Sequence, residues 1–141
     1  MNQLIPYIDT AHIIVTAMLV SIIWIIQVLH YPTFRYIESN IESEFHRFHT
    51  RSISFIVGPL MVIELLMASI NLYIDLEVVS TILFVIVIII WLSTFLIQVP
   101  IHNKLSSNYD QSLVNRLIKT NWIRTSCWTT KFLIMIFISF R

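Results

Sequence analysis

Two long stretches without a charged residue constrain the fold of this chain more than any other feature of its sequence. Residues 13–29 and 78–99 contain no Asp, Glu, Lys or Arg. Each stretch is long enough to cross the ~30 Å hydrocarbon core of a bilayer as a helix. They therefore predict transmembrane helices.

Two further stretches complete the pattern. Residues 52–74 form an apolar span interrupted only by Glu64, and residues from about 125 to 140 form another that contains Lys131, with a polar approach that extends the same helix. The chain is 57% hydrophobic and 12% charged, which is more apolar than an ordinary soluble domain. We therefore predict an all-α, integral membrane four-helix bundle in one domain (1–141), with spans at about 11–32, 52–74, 78–99 and 122–140.

The positive charges predict an orientation. The first and third connections contain Arg35, Arg47, Arg51, Lys104, Arg116, Lys119 and Arg124, whereas the opposite side has only Arg141. Because cytoplasmic loops of membrane proteins are enriched in Lys and Arg, both long connections are expected in the cytoplasm and both termini outside. The expected location is a bacterial inner membrane.

The two halves of the sequence share short runs. Ile26-Gln27-Val28-Leu29-His30-Tyr31-Pro32 ends the first span, and Ile97-Gln98-Val99-Pro100-Ile101-His102-Asn103 ends the third. A repeat of two helical hairpins would explain the match, as would chance recurrence of Gln-x-x-His at helix ends. Pro32 and Pro100 predict the ends of those helices. Residues 39–51 and 108–119 have apolar residues at helical spacing, so amphipathic cytoplasmic connections are predicted.

Four of the five histidines fall at one predicted membrane face, namely His30, His46, His49 and His102. His46 and His49 share one face of a helix because they are three residues apart. Neutral imidazole is a common metal ligand, so these four residues are candidate ligands for a transition metal (Fe, Cu or Zn), and two of them are candidate axial ligands of haem. The alternative is that they bond lipid headgroups and loop carbonyls.

Two ionisable residues are predicted at membrane depth. An ionisable group there is expensive, so Glu64 is a candidate for proton handling. Lys131 enters its helix from the same side, which makes a buried Glu64–Lys131 pair a second possibility, and a structural role a third. His12 lies near the other end of the first span, where it is a candidate ligand for a second cofactor or a hydrogen-bonded histidine.

Several classes of function are excluded or disfavoured. With a single glycine, Gly58, the chain has no phosphate-cradling loop, dinucleotide fingerprint or nucleophile elbow. The net charge of +1 gives no reason to expect a nucleic-acid partner. The single cysteine, Cys127, excludes an internal disulfide framework.

Three segments resemble the anthrone oxygenase-like family of small four-helix membrane proteins. They are Val99-Pro100-Ile101-His102-Asn103-Lys104-Leu105, Asn121-Trp122-Ile123-Arg124-Thr125 and Tyr31-Pro32-Thr33-Phe34-Arg35. The first resembles the family's Pro-x-Asn-x-x-Leu segment with one extra residue between Pro and Asn. Named members of that family oxygenate polycyclic phenolic anthrones, and the resemblance makes Asn103, Asn121 and Arg124 site candidates.

A weaker resemblance is to the haem-containing HemJ-type protoporphyrinogen oxidases, which are also four-helix membrane proteins. Arg51 with Pro59 and Met61 is similar to their entry to the second helix. The resemblance implies that His12 ligates haem, but this chain has no clear lysine in its third span.

These observations lead to two functional hypotheses. The first is a membrane oxidoreductase, such as an oxygenase, with a histidine-rich metal or haem site in the cytoplasmic half and a lipophilic aromatic or quinone-like substrate. In this hypothesis Arg124 and Asn121 orient a substrate oxygen and Glu64 handles a proton. The alternative is a non-catalytic subunit or carrier that packs in a larger membrane complex. Membrane lipid is an expected partner in both, as is a homo-oligomer or larger complex.

Overall fold

The computed structural model describes residues 5–36 and 42–140. In chain order, helix α1 (Ile5–Ile25) continues through a π turn (Ile26–His30) into α2 (Tyr31–Thr33) and a 3₁₀ turn (Phe34–Tyr36). Helix α3 (Glu42–Ile74) follows. Helix α4 (Val78–Ser93) continues through a second π turn (Thr94–Gln98) into α5 (Val99–Ser107), and α6 (Gln111–Ser139) completes the described chain.

The four long helices form a four-sided bundle. Helices α1 and α4 each pack against both α3 and α6, so α3 and α6 are diagonally opposed. Within the described ranges every regular element is helical, which confirms the predicted all-α bundle. Buried apolar side chains form two layers, one around Leu19, Met61 and Trp128 at mid-bundle and one around Phe34, Leu105 and Leu117 beyond the π turns.

Three helical segments are long and apolar enough to cross a membrane: Pro6–Tyr36, His46–Ile74 and Val78–Ser107. They present many large apolar side chains on the outside of the bundle, as expected where the solvent is lipid. The chain is therefore a membrane protein. Helix α6 contains the predicted fourth span, and its cations Arg124 and Lys131 point into the bundle; that span remains a prediction.

The segment before the second span differs from the prediction. Instead of a separate amphipathic helix, residues 42–51 are the first turns of α3, which continues without a break through Pro59 to Ile74. Residues 39–41 of the predicted segment, and Arg141, lie outside the described residues. At α6 the predicted continuity is found, because the helix starts at Gln111, where Asp110 caps it by accepting a hydrogen bond from the Ser112 backbone N–H at 2.7 Å.

Pro32 and Pro100 do not end their helices, contrary to the prediction, but lie just beyond the two π turns. The Tyr31 N–H bonds the Ile26 carbonyl, and the Val99 N–H bonds the Thr94 carbonyl, so each turn is one residue wider than an α-helical turn. A proline lacks the N–H that an α-helical ladder needs, and a wider turn lets the helix continue through it. Such turns are frequent at functional sites.

Candidate functional site

Buried polar side chains form three groups inside the bundle. The central cluster is His12, Thr16, Glu64, Trp128 and Lys131. The arginine cluster is Gln27, Thr94, Asn121 and Arg124, and the histidine cluster is His30, Tyr31, His46, His49 and His102. Most of these residues are less than 10% exposed. Buried polar groups are costly unless paired, so their concentration in a small bundle requires an explanation.

The central cluster is built around the Glu64–Lys131 ion pair, in which Lys131 Nζ lies 2.8 Å from Glu64 Oε1 and both side chains are 0% exposed. Lys131 also contacts Thr16 Oγ1 at 2.7 Å and His12 Nε2 at 2.9 Å. The second carboxylate oxygen of Glu64 accepts a hydrogen bond from Trp128 Nε1 at 2.9 Å. The predicted pair is therefore present, and every charged atom in it has a hydrogen-bonding partner.

The arginine cluster begins with residues on one face of α6. Arg124 Nε and Nη2 both donate to Asn121 Oδ1, at 2.9 and 2.6 Å, and Nη1 lies 3.4 Å from Thr94 Oγ1. Asn121 Nδ2 in turn donates to Gln27 Oε1 at 2.7 Å. Because both polar atoms of Asn121 are used in this way, its side chain fixes Arg124 rather than facing a bound molecule.

Arg124 is a buried cation whose charge is not matched by a carboxylate. Its side chain is 7% exposed, and the ion pair found in the described part of the chain is Glu64–Lys131. The guanidinium lies 5.9 Å from the centre of the Trp128 ring, which gives modest cation–π stabilisation. Its contacts, which include a side-chain hydrogen bond with Tyr31, use fewer than the five N–H donors of a guanidinium. A buried cation of this kind favours a negatively charged or strongly accepting oxygen beside it.

Such an oxygen has space beside Arg124. A cavity of about 490 Å³ lies between α1, α3, α4 and α6, and we call it the arginine cavity. Its walls are mainly apolar, from Leu19, Ile23, Ile53, Val57, Met61 and Phe95, and its polar lining includes Tyr31, Thr50, Gln98, His102, Asn103 and Arg124. Mostly apolar walls with a few placed polar groups are typical of small-molecule sites.

Two polar atoms in the lining of this cavity are themselves unsatisfied. Gln98 Oε1 and Trp91 Nε1 are buried and have no hydrogen-bond partner among the described residues. A buried polar group without a partner costs about 1–3 kcal/mol. One is an acceptor and the other a donor, and both belong to side chains that line the arginine cavity.

The histidine cluster borders the arginine cavity through His102. His102 Nε2 is 3.1 Å from the Tyr31 hydroxyl, and His102 Nδ1 is 3.0 Å from His46 Nε2. The His46 and His102 rings stack at 5.0 Å, and the His30 and His49 rings stack at 4.0 Å. All four predicted histidines thus meet at one end of the bundle, which we call the His102 end.

This arrangement does not form a ready metal or haem site. Among the described residues, no three His, Cys, Asp or Glu side chains converge as a metal ion requires. The predicted metal or haem at His30, His46, His49 and His102 therefore stays a prediction.

His12 lies apart from the other histidines, in the central cluster. It is 1% exposed and contacts Lys131 and, through Nδ1 at 3.3 Å, Asn71 Nδ2. It is thus a hydrogen-bonded histidine, one of the two alternatives the sequence left open. Glu64 also lies away from the arginine cavity, behind Trp128, whose indole separates the carboxylate from the cavity.

Sequence reasoning missed Thr16, Gln27, Thr94, Gln98 and the hydrogen-bonding role of Trp128. Helical spacing could have found some of them. Thr16 follows His12 by four residues, and Trp128 precedes Lys131 by three, so each lies on the same helical face as a group already noted. Gln27 and Gln98 occupied equivalent places in the matched runs of the two halves.

These features define a small membrane bundle with a central ion pair and an apolar cavity that holds a buried arginine. Comparison with models of known families, with curated proteins and with solved structures gave no match to this chain.

Proposed function

We propose that this protein is a membrane oxidoreductase that binds a lipophilic aromatic or quinone-like molecule in the arginine cavity and acts on it as an oxygenase. The observation that supports this most is Arg124, a buried cation with no carboxylate partner in the described chain, placed in a mainly apolar cavity. A flat aromatic body would pack against Ile53, Val57 and Phe95, with its anionic or carbonyl oxygen on Arg124.

The resemblance to anthrone oxygenases suggests the reaction. An anthrone CH₂ group loses a proton to give an enolate, whose oxygen Arg124 stabilises electrostatically. His102 accepts the proton, directly or through Tyr31, since both line the cavity and are hydrogen-bonded to each other. Dioxygen adds to the carbon, and loss of water from the resulting hydroperoxide leaves a carbonyl. One O₂ is consumed, and one water and one quinone form per anthrone.

The same proposal includes the orientation expected from the sequence, and the expected metal or haem is tested separately. With the positive-inside rule, the His102 end faces the cytoplasm of a bacterial cell and both termini lie outside. The reaction above requires no metal. An absorption spectrum and elemental analysis of the purified protein test independently for haem, iron, copper or zinc.

Binding is tested with the purified protein in mild detergent, using dihydroxyanthrone as the probe. Trp91 and Trp128 line the cavity, so their fluorescence reports occupancy. Arg124→Gln should weaken binding about 10- to 100-fold, because a hydrogen bond to a charged group contributes about 1.5–3 kcal/mol. Arg116→Gln is the matched control, since Arg116 is exposed on the same helix.

A second variant tests the cavity without touching its polar groups. A Cβ added at Gly58 meets no atom within 4 Å, and Gly58 lines the cavity. Gly58→Leu should therefore fold and block the probe. Full binding by both Gly58→Leu and Arg124→Gln would reject the site.

Oxygen consumption and anthraquinone formation then separate the two functional hypotheses. Turnover that is lost in His102→Gln, with binding retained, supports the oxygenase. Tight binding without any turnover by the native protein supports the carrier or subunit alternative.

A further inference from the structure

A second cavity opens at the other end of the bundle, which we call the Asp9 end. It has a volume of about 400 Å³ and mainly apolar walls, and its polar lining includes Asp9, Asn71, Asp75 and Glu77. His12 forms part of its wall and is otherwise buried. The imidazole of His12 therefore lies between this cavity and the Glu64–Lys131 pair.

The two nitrogens of His12 face two different donor groups. Lys131 Nζ lies 2.9 Å from Nε2, and Asn71 Nδ2 lies 3.3 Å from Nδ1. A neutral imidazole carries one hydrogen and has one acceptor nitrogen, so it accepts from only one of these groups at a time. When Lys131 is an ammonium, Nε2 accepts and Nδ1 holds the proton. When Asn71 donates to Nδ1, Nε2 holds the proton and faces a neutral Lys131 amine.

Asp9 shifts the balance between these two arrangements. Asn71 Nδ2 also donates to Asp9 Oδ1 at 2.9 Å, which fixes the direction of the amide. Turning the amide over would place its carbonyl oxygen against an ionised carboxylate. Once Asp9 is protonated, the amide is free to turn and to accept from His12 Nδ1–H. A proton on Asp9 thus favours the arrangement in which Lys131 is charged.

We propose that His12 is a proton relay between the Asp9 end and the Glu64–Lys131 pair at the bundle centre. Starting from the charged pair, Lys131 Nζ passes a proton to Nε2 as the proton on Nδ1 leaves for the cavity, which leaves a neutral amine beside Glu64. A proton that arrives at Nδ1 as the Nε2 proton returns to Lys131 restores the charged pair. The relay does not depend on the function proposed for the arginine cavity, from which it is separated by Trp128.

The charged and titratable groups around the relay lie on three of the four helices packed around it and on one connection. Helix α1 supplies Asp9 and His12, α3 supplies Glu64, and α6 supplies Lys131; α4 has no ionisable side chain. Asp75 and Glu77, in the connection between α3 and α4, line the cavity.

The tautomer of His12 can be measured directly. The full chain, labelled with ¹⁵N-histidine and held in lipid nanodiscs, gives ring nitrogen shifts that distinguish the two tautomers; loss of a signal in His12→Asn assigns it. Asp9→Asn should move the ring toward the Nδ1–H tautomer, because the substituted side chain has no negative charge to fix the amide of Asn71. Asp75→Asn is the matched control, with the same charge change in the same cavity and no side-chain hydrogen bond to Asn71.

A shift of His12 in Asp9→Asn with no shift in Asp75→Asn supports the relay. A ring that keeps the same tautomer population in the native protein and in both variants would overturn it. Equal shifts in both variants would also overturn it, since general cavity charge and not the Asp9–Asn71 contact would then control the ring.

Discussion

The stability of the bundle should depend on Glu64 and Lys131 as a unit. Both side chains are 0% exposed, and the ammonium is satisfied by Glu64, Thr16 and His12 at 2.7–2.9 Å. Lys131→Met removes the cation and leaves the carboxylate buried. Breaking a buried pair from one side costs about 3–5 kcal/mol, whereas replacing both partners with uncharged residues is often close to neutral.

The magnitudes for the other variants follow from the same contacts. Glu64→Gln keeps a carbonyl acceptor for Lys131 but leaves the cation without a counter-charge, so it should also be destabilising. The double variant Glu64→Gln/Lys131→Met contains no buried charge at this position. Because the double replacement is close to neutral and one broken pair alone costs about 3–5 kcal/mol, its cost should fall short of the sum of the single costs by about 3 kcal/mol or more.

The assay is equilibrium unfolding in mixed micelles with increasing sodium dodecyl sulfate, followed by tryptophan fluorescence and circular dichroism. Lys119→Met is the matched control, because Lys119 is exposed on the same helix; it should change stability by no more than about 0.5 kcal/mol. Additive costs in the double variant, or a loss of less than about 1 kcal/mol in Lys131→Met, would refute the reasoning.

Two further predictions concern α6. Trp128→Phe removes the N–H that bonds Glu64 Oε2 and should lower the free energy of unfolding by about 1–3 kcal/mol in the same assay. Trp122→Phe changes an exposed side chain and should lower it by less than about 0.5 kcal/mol. Asp110→Ala removes the cap of the helix and should lower stability at neutral pH. The hydrogen bonds from Ser112 lower the pKa of Asp110 in the folded protein. The contribution of Asp110 to stability is therefore present above its pKa in the unfolded chain and is lost as the pH falls through its pKa in the folded protein. An equal loss of stability by Asp110→Ala in strong acid would contradict this.

The helices were predictable from the sequence because their signal is local. An uncharged run such as residues 78–99 has few alternatives in a bilayer. The separate helix that was predicted before α3 is wrong for the same reason. The amphipathic pattern of residues 42–51 is a local signal, and it is the same whether or not the helix continues into the span. The π turns were not predictable, because proline marks a disruption of the ladder without specifying whether the helix ends or widens.

The site was predictable only in part because side-chain direction depends on packing. Depth along the membrane was enough to suggest the Glu64–Lys131 pair and to gather four histidines at one end. Depth did not show that Asn121 would be used to hold Arg124, or that His12 would reach Lys131. These contacts depend on which helices are neighbours, and the sequence of one chain does not specify that.

The internal match between the halves helps to explain where the site lies. Gln27 and Gln98 occupy the same place in the two matched runs, although Gln27 is the second residue of its π turn and Gln98 is the last residue of its own. Both bond α6, at Asn121 and Thr120. Tyr31 and His102 are separated by the same 71 residues and bond each other. The Tyr31–His102 contact therefore joins the two matched runs directly.

The site itself arises where the two halves differ. Arg51 and Arg124 are equivalent in the second matched run, yet Arg51 is exposed and Arg124 is buried. The offset that relates Arg51 to Arg124 also relates Gly58 to Lys131. Gly58 lines the arginine cavity and has open space around it. The second half therefore supplies the buried cations Arg124 and Lys131, and the first half supplies the open space at Gly58. Gly58→Leu should accordingly abolish probe binding while leaving the Glu64–Lys131 coupling intact, a combination that a uniformly packed bundle would not produce.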